Sequence, residues 1–79
     1  MDNIKYSHYA DGIGYLYRAA FEMAKGRKEQ ALSFIQIAEG KTQKKFDLPW
    51  DRKDIVVAEK ILDKYTELMS EFMRSVSPR

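Results

Sequence analysis

The clearest hydrophobic pattern lies in the C-terminal third of the chain. Apolar residues fall at Ile55, Ala58, Leu62, Tyr65, Met69, Phe72 and Val76, in alternating steps of three and four. That spacing is the seam of an amphipathic helix. Ile61, Leu68 and Met73 flank the seam and widen the stripe, as expected of a helix that packs against two neighbours. Arg52, Glu59, Lys60, Asp63, Lys64, Glu67 and Glu71 occupy the other side, and their mixed signs describe a solvated face. Upstream, Asp51 is placed to act as N-cap, with Asp54 three residues on as a short-armed capping-box acid. Trp50 and Ile55 have the spacing of a hydrophobic staple. Pro49 holds Leu48 extended, and Ser77-Pro78 marks a stop. Together these signals predict a helix over 51–76.

Residues 4–39 also carry helical periodicity. Tyr6, Tyr9, Ile13, Leu16, Ala20 and Met23 form one stripe, and Ala10, Tyr17, Phe21 and Ala24 form a second beside it. The apolar rhythm breaks at Lys25-Gly26-Arg27-Lys28 and restarts with Ala31, Phe34, Ile35 and Ala38. Gly26 suits the left-handed position just past a helix end, which favours two helices joined by a tight turn over one long helix. Two readings of Asp11-Gly12-Ile13-Gly14 stay open. Either a helix begins there with Asp11 as its cap, or the glycines let a neighbouring backbone approach closely. Gly40 to Trp50 reads as a connector, with Phe46 and Leu48 folding back onto the core. The resulting fold class is all-α, a small antiparallel three-helix bundle over about 4–25, 28–42 and 51–76: a helical hairpin plus a C-terminal amphipathic helix.

Composition narrows the function classes. At 79 residues the chain is expected to form one domain. It has no cysteine, so neither disulfides nor thiolate-held zinc can brace it, and a reducing cytoplasmic setting is expected. No apolar run approaches a membrane span, and Met1-Asp2-Asn3-Ile4-Lys5-Tyr6 does not read as the start of a signal peptide. The net charge of +2 does not by itself point to nucleic acid or acidic lipid.

The chain is poor in candidate chemistry. His8 is the one histidine, and no spacing of ligand side chains suggests a metal. Ser7 and His8 are sequence neighbours and diverge by about 100° on a helix, so they do not form a nucleophile pair. The Gly12-x-Gly14 pair lacks the rest of a dinucleotide fingerprint. No enzyme activity, cofactor or metal is expected. Two groups remain as candidate binding residues. The first is apolar and aromatic: Tyr6, Tyr9, Tyr15 and Tyr17, together with Ile61, Leu68 and Met73, as a surface for a protein partner. Tyrosine joins a large apolar body to a polar tip, which suits interfaces, although packing on helix flanks explains the tyrosines equally well. The second is basic: Lys25, Arg27, Lys28, Lys41, Lys44 and Lys45, as an anion-binding set. Lys41, Lys44 and Lys45 are accounted for equally by the dipole of a preceding helix.

The run Gly26-Arg27-Lys28-Glu29-Gln30-Ala31-Leu32-Ser33-Phe34-Ile35-Gln36-Ile37-Ala38 resembles the turn and second helix of a tetratricopeptide repeat. Ala31, Ile35 and Ala38 match its small and bulky positions, and Tyr15 and Ala19 match positions upstream. Microtubule-interacting-and-transport domains look similar, with such a hairpin followed by a third helix. The resemblance covers about a third of the chain. Glu22 stands where the repeat usually has an aromatic, and no proline follows Ala38 where the repeat places one. One repeat cannot bury its own face, so a repeat array is excluded. The resemblance implies a helix or peptide bound in a groove between helices. The function expected from the sequence is therefore a non-enzymatic protein-interaction module, acting as a homodimer or on a partner helix. The alternative is a small nucleic-acid-binding or regulatory protein using the basic residues at the helix ends. In the dimer reading, the Ile55–Val76 seam lies inside the protomer and Ile61, Leu68 and Met73 lie at the interface.

Overall fold

The computed structural model describes the backbone of residues 2–76 and the side chains of residues 7–75. Three helices follow one another: α1 (Asp2–Ala24), α2 (Lys28–Thr42) and α3 (Asp54–Val76). No strand occurs among the described residues.

The break between α1 and α2 is a Schellman turn. Gly26 adopts φ 82°, its N–H donates to the Met23 carbonyl (2.9 Å), and the Arg27 N–H donates to the Glu22 carbonyl (2.9 Å). The apolar contact that often closes this motif is replaced by an ion pair, Arg27 Nη1 to Glu22 Oε1 at 3.3 Å. At the other end of α2, Gln43 takes the left-handed conformation (φ 61°, ψ 31°) and its N–H donates to Glu39 O. The Thr42 hydroxyl, buried there, donates to Ala38 O at 2.8 Å.

α1 is the common element and runs antiparallel to both other helices. On the α2 side Tyr15 meets Phe34. Gly12 lies so close to α2 that a Cβ added there would come within 2.5 Å of Thr42 Cγ2 and 3.2 Å of the Ala38 carbonyl oxygen. This decides between the two readings of the glycine pair: α1 runs unbroken through both, and Gly12 is a point of close approach. On the α3 side Tyr9 stacks on Phe72 and Tyr17 meets Tyr65, so the two helices run in opposite directions. α2 and α3 are therefore parallel to one another, and the connector returns along the length of the bundle. The core consists of Ile13, Leu16, Ala19, Ala20 and Met23 from α1, Ala31, Ile35 and Ala38 from α2, Val57, Ala58, Ile61 and Leu68 from α3, and Leu48 from the connector. Phe46 and Trp50 pack against it, as the sequence predicts for Phe46.

Two expectations for α3 need correction. The helix starts at Asp54, because residues 49–52 form a turn closed by the Arg52 N–H to the Pro49 carbonyl (2.9 Å). With Trp50 drawn onto the core, Asp51 lies a turn too early to cap. Lys53 occupies the capping position, accepting from Val57 N–H at 3.0 Å. Ile55 then points outward and is 57% exposed, so the staple does not form. The inward face is also rotated from the predicted seam. Ile61 and Leu68 are buried, whereas Leu62 is 40% exposed. The cause is the second neighbour of α3. The connector runs beside its Lys60–Lys64–Glu67 flank, so the buried stripe shifts toward Val57, Ile61 and Leu68 and away from Ile55 and Leu62.

Candidate functional site: an apolar face on α1 and α3

The rotation of α3 leaves a groove beside its contact with α1. Tyr17, Ala20, Phe21 and Ala24 line it from α1, and Ile55, Ala58, Glu59 and Leu62 from α3, around a volume of about 170 Å³. Seven of these eight side chains are apolar or aromatic. Tyr17 and Phe21 are each more than half exposed. They belong to the second stripe of α1, whose remaining members Ala10 and Ala24 are exposed too. On α3 the line continues past Leu62. Met73 lies eleven residues further on, within about 20° of Leu62 at 100° per residue, and it is exposed. Six large apolar side chains are exposed among the described residues; four of them (Tyr17, Phe21, Ile55 and Leu62) line this groove, Met73 lies further along the same side of α3, and Ile37 is on α2. Few charges border the face. The Lys25 ammonium sits 4.2 Å from the centre of the Phe21 ring, at the α1 edge, and exposed Glu59 stands on the α3 edge.

The predicted partner-binding residues divide. Tyr17 and Met73 lie on the face. Ile61 and Leu68 do not: both are closed into the protomer core, out of reach of a partner. Tyr15 is half-buried against Phe34 on the α2 side, with the Arg18 guanidinium 5.2 Å from its ring centre. Tyr9 is half-buried on Phe72, and burial, then the nearby Glu71 carboxylate, push its phenol above the usual tyrosine range. The Tyr6 side chain lies outside those described. Sequence reasoning passed over Phe21, Ile55 and Leu62 as binding residues. The signal for Phe21 was present, since one helix cannot bury two parallel apolar stripes against a single core.

The basic residues form two separate groups. Lys25, Arg27 and Lys28 lie at the α1–α2 turn, and Lys41, Lys44 and Lys45 at the far end of α2. A 15-residue helix separates them, about 20 Å at 1.5 Å per residue. Four of the six have contacts within the chain. Lys25 covers Phe21, Arg27 pairs with Glu22, Lys28 Nζ donates to the Trp50 carbonyl (3.1 Å), and Lys41 pairs with Asp11 at 3.8 Å. No continuous basic surface results.

Among the described residues the acidic side chains form no enclosed pair. Asp47, Asp51, Asp63 and Glu67 line an open groove of about 640 Å³ between the connector and α3, together with Lys60 and Lys64. All four carboxylates are exposed, and acid–base work by a carboxylate pair needs an enclosed environment that separates the two groups. Among the described residues no group of three or more His, Cys, Asp or Glu side chains is placed to hold a metal ion. No helix among them is long and apolar enough to cross a membrane. No protein-family model matches the chain, and no curated protein or solved structure matches it.

Proposed function

We propose that this chain is a protein-docking module and that the α1–α3 face is where it docks. The observation that supports this reading is the gathering of exposed Tyr17, Phe21, Ile55 and Leu62 around one groove, with Met73 further along the same side of α3. Scattered exposed apolar residues are ordinary on any protein, whereas a contiguous patch of them marks an interaction site. The face is a shallow trough between two helices, the shape that accepts the apolar side of a further helix. Aromatic anchors such as Tyr17 and Phe21 are the residue types that dominate such contacts.

Photocrosslinking tests the reading. Benzoylphenylalanine is placed in turn at Phe21, at Leu62 and at Ile37, and the full chain is irradiated in its native cell. Adducts with protein are expected from positions 21 and 62 and not from 37, the large exposed apolar position away from the face. Adducts from position 37 alone, or equally from all three, would overturn the assignment.

A further inference from the structure

The charges bordering the docking face are arranged so that the face complements itself. We infer that its occupant is a second copy of this chain, related by a two-fold axis parallel to the helices, with Lys25 of each copy paired to Glu59 of the other. This rests on the reading of the α1–α3 face as a docking surface and names what docks there.

α1 and α3 pair antiparallel. The contacts fix the heights along the bundle: Tyr9 lies beside Phe72 and Tyr17 beside Tyr65, and Phe21 and Ala24 share the groove with Ile55, Glu59 and Leu62. Rotation by 180° about an axis in the face and parallel to the helices exchanges left and right and preserves height. It lays α1 of one copy over α3 of the other, with each residue facing the neighbours that it already has within its own chain. Tyr17 and Phe21 then meet Ile55 and Leu62 of the second copy, and the Lys25 ammonium, held at the height of Phe21, comes opposite Glu59. The symmetry forms this pair twice. The other in-plane axis, perpendicular to the helices, lays α1 on α1 and α3 on α3, which leaves each Lys25 on the α1 edge and each Glu59 on the α3 edge, across the face from one another. That arrangement makes no such pair.

The area sets the strength. From Ala10 to Ala24 the face is about 20 Å long, and two helices abreast, roughly 8–10 Å apart, give it a similar width. A patch this small is at the low end of specific interfaces, so the dimer is weak and forms at micromolar concentrations or above.

Sedimentation equilibrium of the full chain up to about 0.5 mM, a range matched to such affinities, tests the pairing. The wild type is expected to associate as a dimer. Lys25→Glu and Glu59→Lys should each weaken association by ~10-fold or more, because each reversal creates two like-charge contacts. An equimolar mixture of the two variants should recover wild-type association, since both cross-pairs are then opposite in sign. Circular dichroism of each variant establishes that the fold is intact, and Glu59, an exposed position, provides the arm least able to disturb it. A wild-type chain that remains a 9.3 kDa monomer throughout overturns the second copy as occupant. Charge reversals without effect on a wild type that does dimerise, or a mixture that fails to recover, overturn the two-fold pairing of Lys25 with Glu59. If adducts from Phe21 and Leu62 to a different protein accompany a monomer, the docking face stands and only its occupant is wrong. Absence of both adducts and dimer removes both.

Discussion

Gly12 and Gly14 are two residues apart on α1, and an alanine at either has the same intrinsic effect on a helix, a gain of ~1 kcal/mol over glycine. Their surroundings differ. A methyl group at Gly12 would collide with the Thr42 side chain and crowd the Ala38 carbonyl of α2, whereas one at Gly14 meets nothing within 4 Å. The two substitutions should therefore have opposite signs. Gly12→Ala is expected to destabilise by about 1–2 kcal/mol, because forcing α1 and α2 apart outweighs the helix gain. Gly14→Ala should stabilise by roughly 0.5–1 kcal/mol. Urea melts of both variants check this. The sequence shows two glycines in one turn and no means to distinguish them, because the distinction lies in how near another helix comes. Gly26 differs in this respect: its place after an apolar stripe and within a polar run identifies a helix end locally, and its positive φ follows.

At the scale of the elements, the connector does more than join α2 to α3. Leu48 is buried, and Phe46 and Trp50 pack on the core beside it. The Phe46 N–H donates to Glu39 Oε2 at 3.0 Å, tying the start of the connector back to α2. Lys28 reaches the Trp50 carbonyl, tying its end to the start of the same helix. Trp50→Ala is expected to cost about 2–3 kcal/mol, less than the ~3–5 kcal/mol of a fully buried tryptophan because the ring is only half-buried; a denaturant melt measures it. A loss within about 0.5 kcal/mol, the range of ordinary surface substitutions, would mean that the ring does not hold the turn. The helices themselves were legible in the sequence, since periodicity and breakers are local. Orientation about the helix axis was not. The Ile55–Leu62–Met69 line and the Ile61–Leu68 line are both apolar, and which of them turns inward depends on where the connector lies. The same non-local fact displaced the predicted start of α3 from Asp51 to Asp54, since an acid before a helix acts as a cap only if the chain is not already folded into a turn there.

For the whole molecule, the arrangement around α1 explains why an exposed apolar face exists. α2 covers one side of α1 with small residues (Ala31 and Ala38 are fully buried) that allow close approach. α3 covers the next side but is shifted toward the connector, and the outer stripes of α1 and α3 remain in solvent together. The candidate site was thus only half legible: Tyr17 and Met73 were among the predicted binding residues and are exposed, but Ile61 and Leu68 were assigned to the partner and Leu62 to the core, whereas Ile61 and Leu68 are buried in the core and Leu62 is exposed. Leu62→Glu and Leu68→Glu compare the two sides of α3 with one and the same chemical change, and their equilibrium denaturation is the most direct test of the account. Leu68→Glu places an unpaired carboxylate in the core and should cost more than about 4 kcal/mol, a large part of the roughly 5–10 kcal/mol that holds a domain of this size. Leu62→Glu should stay within about 1 kcal/mol of wild type, with its helical circular dichroism unchanged. The opposite order, with Leu62→Glu unfolded and Leu68→Glu tolerated, would contradict both the packing of α3 and the docking face built on it.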